Sequence, residues 1–343
     1  MHDFNYAVDT STFPAYLKYA DITPAHKKGD KTEKTNYRPV SILPPMSKIF
    51  ERLLFSQIDR FMDHKLSIYQ CGFRKSFNAQ YSLILMLEKF RHSLDKREFT
   101  GAILTDLSKA FDCLDHELMI AKLDAYGFSS KALKLVHCYL KNRHQRVKVN
   151  HKYSSWNEIT TGVPQGSVLG PLLFNIFLSD IFSFFQDSDL ANYADDNTPY
   201  TCKHDTKSVL DKLQMDANEL IKWVENNTLK ANPDKYHLLL SEKDKTLSLT
   251  VGNHKICNSN NEKILGVNFD NKLTFHDHVS ELCKKASKKL HALSRISHYM
   301  NINKRRVIMK AFIDSQFGYC PLIWMFHSRT LNNKINKIQE KKS

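Results

Sequence analysis

Apolar positions along the chain follow two different periods, and the switches between them mark out the elements. Residues 46 to 64 and 78 to 95 have helical spacing, and in the second stretch Leu83, Leu87 and Phe90 recur at steps of four and three. Residues 101 to 107, Gly-Ala-Ile-Leu-Thr-Asp-Leu, form a short apolar run with a carboxylate near its end, which predicts a buried strand. Helices are predicted at about 115 to 126, ended by Gly127, and at 130 to 142, opened by Ser129 or Ser130. Residues 145 to 160 predict a hairpin, and a Gly/Pro-rich turn at 162 to 171 leads into an apolar helix. Two short strands around an acidic turn come next at 190 to 201, then an amphipathic helix at 206 to 226. Strands are predicted at 236 to 241, 246 to 251 and 263 to 269. From 278 the pattern is helical again, with Leu282, Ala286, Leu290, Leu293 and Ile296 on one face and Lys284, Lys285, Lys288, Lys289 and Arg295 elsewhere. The polar, basic stretch 24 to 38 predicts an exposed loop or hairpin turning at Gly29-Asp30.

Helices, then a strand-rich middle with interleaved helices, then basic helices: that order implies an α+β fold with a catalytic middle flanked by helical arms. A chain of 343 residues can bury a large core and form about two or three subdomains. With 42% hydrophobic and 25% charged residues, it has the composition of a folded domain. The formal net charge of +14 favours a polyanionic partner, with nucleic acid first and an anionic membrane surface second. The seven cysteines, Cys71, Cys113, Cys138, Cys202, Cys257, Cys283 and Cys320, contain no CxxC pair. This argues against a zinc ribbon and for reduced thiols in an intracellular protein. Met1 to Tyr16 lacks a basic segment followed by an apolar run, so no secretory signal is read. The most apolar stretch, Val168 to Phe185, contains Pro171, Asn175 and Asp180, which suits a buried helix better than a membrane span.

Three groups of residues carry chemistry. Tyr193-Ala194-Asp195-Asp196 sets two adjacent carboxylates at a turn, where ordering both is costly unless a cation lies between them. Mg²⁺ takes carboxylate and phosphate oxygens. Asp-Asp-Asn is also ordinary solvated turn chemistry, and that reading stands beside the metal one. Asp106 ends the apolar strand, as a metal ligand or as an N-cap for the residues after it. A third acid beside the Asp195-Asp196 turn would hold two ions, as in-line phosphoryl transfer requires. In Gly162-Val163-Pro164-Gln165-Gly166-Ser167-Val168-Leu169-Gly170-Pro171, small residues permit close approach of a nucleotide or template, and Gln165 can hydrogen-bond a base edge or sugar. A plain helix-entry loop is the alternative.

In this order and spacing, the aspartate strand followed by Ala-Phe-Asp, the Pro-Gln-Gly turn and the Tyr-Ala-Asp-Asp turn resemble the palm motifs of reverse transcriptases. Asn36-Tyr37-Arg38-Pro39-Val40-Ser41-Ile42-Leu43 and Gln70-Cys71-Gly72-Phe73-Arg74-Lys75 resemble the fingers blocks of non-LTR retrotransposon enzymes. Leu229-Lys230-Ala231-Asn232-Pro233-Asp234-Lys235 is similar to the palm block that carries a lysine, and Ile264-Leu265-Gly266-Val267 to the primer-grip region. The group most resembled is the jockey-like, LINE-type one, over about residues 16 to 340.

The resemblance implies a right-hand polymerase fold. Fingers would cover residues 1–100, N-terminally truncated, and a palm of antiparallel sheet plus helices would cover 101–275 with fingers-palm connections. A partial helical thumb would cover 276–343. It implies an RNA-directed DNA polymerase that joins deoxynucleotides to a primer 3′ end by two-metal phosphoryl transfer. Two Mg²⁺ ions, or Mn²⁺ in their place, would lie on Asp106, Asp195, Asp196 and the backbone carbonyl of Leu107. Lys235 would act as general acid toward pyrophosphate; the alternative is a surface lysine. Arg38 would contact the triphosphate, with Lys28, Lys31 and Lys34 as either helpers or a solvated loop. Phe111 would crowd a ribose 2′-hydroxyl, serve as a core aromatic, or both; Gln165 and Gly166 would line the nucleotide and template site. Arg74 would hold template backbone or brace the fingers, and Lys284 and Lys288 would track the primer–template duplex. The implied partners are RNA template, DNA primer and dNTPs, without a membrane, in nucleus and cytoplasm. No protein partner is inferred.

Nothing in the chain resembles the endonuclease domain that usually precedes such a polymerase, and it reads as a truncated element copy or partial gene. The rivals are an RNA-directed RNA polymerase, against which Phe111 and the Tyr-Ala-Asp-Asp turn speak, and a relic that binds nucleic acid without catalysis.

Overall fold

The apolar run that leads to Asp106 is a strand because its neighbours bury it on both faces. In the computed structural model, which describes residues 2–185, 188–325 and 329–340, the strands begin with β1 (Tyr19–His26), β2 (Tyr37–Ile42), β3 (Phe99–Leu104) and β4 (Arg143–Val149). They continue with β5 (Lys152–Tyr153), β6 (Asn157–Ile159), β7 (Asp189–Tyr193), β8 (Asp196–Lys203) and β9 (His237–Leu240). The last are β10 (Ser248–Val251), β11 (His254–Ser259), β12 (Asn261–Ile264) and β13 (Val267–Asp270). The α+β expectation is borne out. No described helix is long and apolar enough to cross a membrane.

The chain divides into two compact units, each discontinuous in sequence. The first comprises Met1–Lys75, Leu107–Phe185 and Glu219–Asn232; the second comprises Ser76–Asp106, Gln186–Asn218 and Pro233–Ser343. The segment 276–343, expected as thumb, falls in the second unit, and its residues 326–328 and 341–343 lie outside the described residues.

In the first unit the strands form one sheet of order β2-β1-β4-β5, with β6 also on β4. β1 and β2 form the antiparallel hairpin expected over 24 to 38. Residues 145 to 160, expected as a simple hairpin, do more: β4 also pairs in parallel with β1, Tyr19 opposite His144. Parallel pairing of segments so far apart in sequence leaves no local pattern to read. The apolar helix Gly170–Leu178 is buried along its length, with Leu172, Leu173, Phe174, Ile176, Phe177 and Leu178 at or near zero exposure. Its N-terminus rests on Glu51, whose buried carboxylate accepts the N–H groups of Val168 at 2.7 Å and Leu169 at 3.1 Å.

In the second unit the sheet order is β10-β11-β9-β3-β8-β7. β3 is central, antiparallel to both β8 and β9, and Ala102 and Ile103 are wholly buried. Gly101 lets the sheet meet Val209 and Leu213 of the amphipathic helix, since a Cβ there would lie 2.5 Å from Val209 Cγ1. The helix Ala79–Asp95 buries Leu83, Leu87 and Phe90, as their spacing predicted. β11 went unpredicted because its Lys, Cys, Asn and Ser positions carry no apolar alternation. The strand expected at 263 to 269 is two, β12 and β13, folded at Leu265-Gly266, both of which take positive φ. The helix His276–Ile296 buries Val279, Cys283 and Ala286; of the stripe expected there, Ala286 is buried, Leu282, Leu290 and Leu293 are half-buried, and Ile296 is exposed.

Candidate active site

Tyr193-Ala194-Asp195-Asp196 is the closed end of a hairpin. Tyr193 pairs with Asp196 across β7 and β8, leaving Ala194 and Asp195 as the loop. Ala194 has φ 59, a left-handed conformation that costs a residue with a Cβ about 1–2 kcal/mol. Two fully buried asparagines hold the loop in that shape. Asn192 Nδ2 donates to the Ala194 carbonyl and to Asn197 Oδ1, both at 2.9 Å, and Asn197 Nδ2 donates to the Asp195 carbonyl at 3.3 Å. Sequence reading passed over this pair. Its signal was there: asparagine is depleted in strands, yet one stands at each side of the turn.

β3 delivers the third carboxylate to the same sheet end. Thr105 gives its N–H at 3.0 Å and its hydroxyl at 2.8 Å to the Asn197 carbonyl, carrying the β3–β8 register past the end of β3. One residue further along that register, Asp106 falls opposite Asp196. From the other side, Lys235, at the end of the turn Pro233–Lys235 that precedes β9, donates from Nζ to Asp106 Oδ2 at 2.9 Å. Tyr236 beside it is buried, and its hydroxyl has no hydrogen-bond partner among the described residues. Burial, and then the charge of Asp106, push that hydroxyl above the ordinary tyrosine range.

Carboxylate oxygens are the donors a hard divalent ion takes, and Asp106, Asp195 and Asp196 offer them from one end of one sheet. Asp106 already neutralises a cation, the Lys235 ammonium. Among the described residues, no three His, Cys, Asp or Glu side chains close on a common point. The donor chemistry fits Mg²⁺ or Mn²⁺, and the carboxylates share a sheet end without being drawn into a closed cluster.

Leu107 belongs to the first unit, where its backbone pairs with Ala231. There Phe111 is half-buried, stacked on Phe174 at 4.3 Å between ring centroids and edge-on to Phe73. Gln165 donates from Nε2 to Asp112 Oδ1 at 2.9 Å, and its carbonyl accepts from Ser41 N at 2.7 Å. Gly166 is exposed at φ 116, and a Cβ there would lie 2.7 Å from the Ser41 carbonyl oxygen. Arg38 is exposed on β2, as are Lys28, Lys31 and Lys34 ahead of it. The Arg74 guanidinium donates to the carbonyls of Ser67, Gln70 and Asp63 and pairs with the Asp63 carboxylate at 3.5 Å. In the second unit Lys284 and Lys288 are exposed one turn apart on His276–Ile296.

A central strand and an adjacent hairpin that together present three carboxylates at one sheet end are the arrangement of the reverse transcriptase fold. The same fold is seen in apo telomerase from Candida tropicalis truncated from its C-terminal domain, at TM-score 0.54 and 14% identity, covering 78% of this chain and 57% of that one. Candida tropicalis telomerase in complex with a fragment of telomeric RNA matches at TM-score 0.52 and 14% identity, over 96% of this chain and 62% of that one. The chain belongs to the reverse transcriptase (RNA-dependent DNA polymerase) family, which matches residues 25–269. It is 27% identical to the probable RNA-directed DNA polymerase from transposon BS of Drosophila melanogaster, over 98% of this chain and 39% of that protein. It is 29% identical to the X-element protein and 27% identical to the jockey protein of the same organism, over 98% of this chain and 38% of each. The jockey-type resemblance is borne out. The chain spans about two-fifths of the length of these relatives.

Proposed function

We propose that this chain is the polymerase core of a non-LTR retrotransposon, adding deoxynucleotides to a DNA primer 3′ end on an RNA template. The observation that carries the reading is the placement of Asp106 opposite Asp196 in the continued β3–β8 register, with Asp195 in the adjoining loop. Asp106, Asp195 and Asp196 would hold the divalent ions, with the Leu107 carbonyl as a further oxygen. When bound there, such ions supply Lewis-acid stabilisation of the charge that develops on the transferring phosphate. Lys235 carries a proton at Nζ, donated in this structure to Asp106, and would pass one to the departing pyrophosphate.

In this reading Arg38 binds the triphosphate, and the Phe111 ring selects against a ribose 2′-hydroxyl. Gln165, oriented by Asp112, and the exposed backbone at Gly166 meet the nucleotide and template. Lys284 and Lys288 meet duplex phosphates. The second unit's six-stranded sheet serves as palm, its C-terminal helices as thumb, and the first unit's β1–β2 hairpin as part of the fingers. By inference from the family, the protein would work in nucleus and cytoplasm.

The test is primer extension on a poly(rA)/oligo(dT) hybrid with Mg²⁺ and dTTP, beside Asp195→Asn and beside ribonucleotides. Extension with dTTP by the wild type alone supports the reading. Extension by Asp195→Asn would remove the carboxylate assignment. A bound hybrid without extension would favour a relic that keeps the fold.

A further inference from the structure

The five-stranded sheet of the first unit leaves one face open. Side chains alternate across a strand, and paired residues share a face, so the registers define that face. Tyr19 pairs with His144, Asp21 with Arg146, and Lys148 with Tyr153. On this face a run of planar groups crosses the sheet without a break. Tyr153 stacks on the Arg146 guanidinium, its ring centroid 4.0 Å from Cζ, and Trp156 does so at 4.5 Å. Tyr19 packs edge-on to Trp156 at 5.0 Å and stacked on His144 at 5.2 Å. Lys148 lies over the Tyr153 ring at 5.4 Å.

These rings are not core residues that happen to reach the surface: Tyr19, Tyr153 and Trp156 are 42%, 47% and 40% exposed. The guanidinium between them is held by Asp21, which accepts from Arg146 Nε at 2.7 Å. Glu158, opposite His144, is the other acid of the run. The β1–β2 turn at the sheet's edge adds Lys27, Lys28, Lys31 and Lys34 against Asp30 and Glu33. Exposed rings with cations fixed among them suit a ligand that has both flat faces and a regular negative charge. An uncharged protein surface covering this face would desolvate Lys148 with no anion to meet it, whereas a phosphate backbone supplies one.

We propose that this face is a stacking platform for a single-stranded polynucleotide, whose bases lie on Trp156, Tyr153 and Tyr19 while Lys148 and the β1–β2 lysines meet its phosphates. A base has a π-face whatever its identity, so the platform is tolerant of sequence. A duplex keeps its bases stacked inside and cannot use it.

The protein carries its own probe. Of its three tryptophans, Trp223 and Trp324 are buried, so Trp156 is the one that solvent and ligand reach. The experiment titrates the full chain, without deoxynucleotide or divalent ion, with single-stranded RNA of about 12 nucleotides. It reads tryptophan fluorescence and the anisotropy of an end-labelled strand. The expected result is quenching of Trp156 that parallels binding. Trp156→Leu and Tyr153→Ala should each weaken binding about tenfold or more, and Trp156→Phe should keep most of it. Binding with no quenching and no effect of Trp156→Leu would place the strand elsewhere and overturn the proposal. Tighter binding of a duplex with the same quenching would overturn the single-strand assignment. No catalytic group enters either readout, so this proposal and the polymerase reading can fail separately.

Discussion

Lys235 and Asp106 form an ion pair from neighbouring strands of one sheet: Asp106 follows β3, Lys235 precedes β9, and their charged atoms lie 2.9 Å apart. The pair holds an ammonium at the carboxylate expected to bind metal. If Lys235 is the proton donor to pyrophosphate, Lys235→Met should lower the extension rate at saturating dTTP by about 10²-fold or more, and Lys235→Arg by less. Single-turnover extension measures this. A Lys235→Met rate within a factor of about two of wild type would return Lys235 to the role of a surface lysine.

The asparagine pair under the acidic turn makes a separate prediction. Asn192→Ala removes both donors to the Ala194 carbonyl and Asn197 Oδ1. It should destabilise the protein by about 2–3 kcal/mol, because buried acceptors are left without donors. Urea unfolding gives the value. An unchanged midpoint would mean that the turn does not depend on this bracing.

Gly166 is predicted to tolerate no side chain. Gly166→Ala combines a φ of 116 with a Cβ 2.7 Å from the Ser41 carbonyl oxygen, so a loss of roughly 2–4 kcal/mol is expected. Gly127→Ala is the comparison: its φ is also positive, at 88, but no atom lies within 4 Å of the added Cβ. The thermal midpoints of the two variants should differ, with Gly166→Ala the lower.

His278 should make stability depend on pH. Burial is the main cause of its low pKa, about 4, although Glu281 pulls the other way. Its Nδ1 accepts from Asn268 N at 3.3 Å, a bond that protonation there would break. The folded pKa lies below the unfolded value of about 6.5, so the unfolded chain binds the proton first. The contribution is complete above pH about 6.5, falls as the pH drops toward 4, and is at most about 3 kcal/mol. Urea midpoints between pH 7 and 4 should fall less steeply in His278→Gln. Parallel curves for the two proteins would assign the acid loss to other groups.

Much of this was readable before the structure, and the exceptions have physical causes. Helices such as Ala79–Asp95 and Ser130–Leu140 declare themselves through local period and caps: Asn78 accepts from Tyr81 N, and Ser129 from Ala132 N. The β1–β4 pairing did not, because its partners lie far apart in sequence; β11 did not, because it carries no apolar alternation, and the break within 263 to 269 did not, because the turn at Leu265-Gly266 interrupts one apolar run. Arg74 was not legible either, since its residue type suits template phosphate equally well. Only the fold shows it turned onto the carbonyls of Ser67, Gln70 and Asp63.

The sequence by itself determined the chemistry on offer: adjacent carboxylates at a turn, a third at a strand end, a lysine behind a proline turn, and a basic charge suited to polyanions. These follow from residue type and short-range spacing, which local physics makes legible. The tertiary structure alone decided which of those groups meet. It set Asp106 opposite Asp196 through the β3–β8 register, put Lys235 on Asp106, hid two asparagines beneath the loop, and ranged Tyr19, Trp156, Arg146 and Tyr153 across an open sheet. Strand register is chosen by packing over the whole sheet, and a slip of one residue would turn the side chains of the slipped strand, such as Arg146 on β4, to the other face.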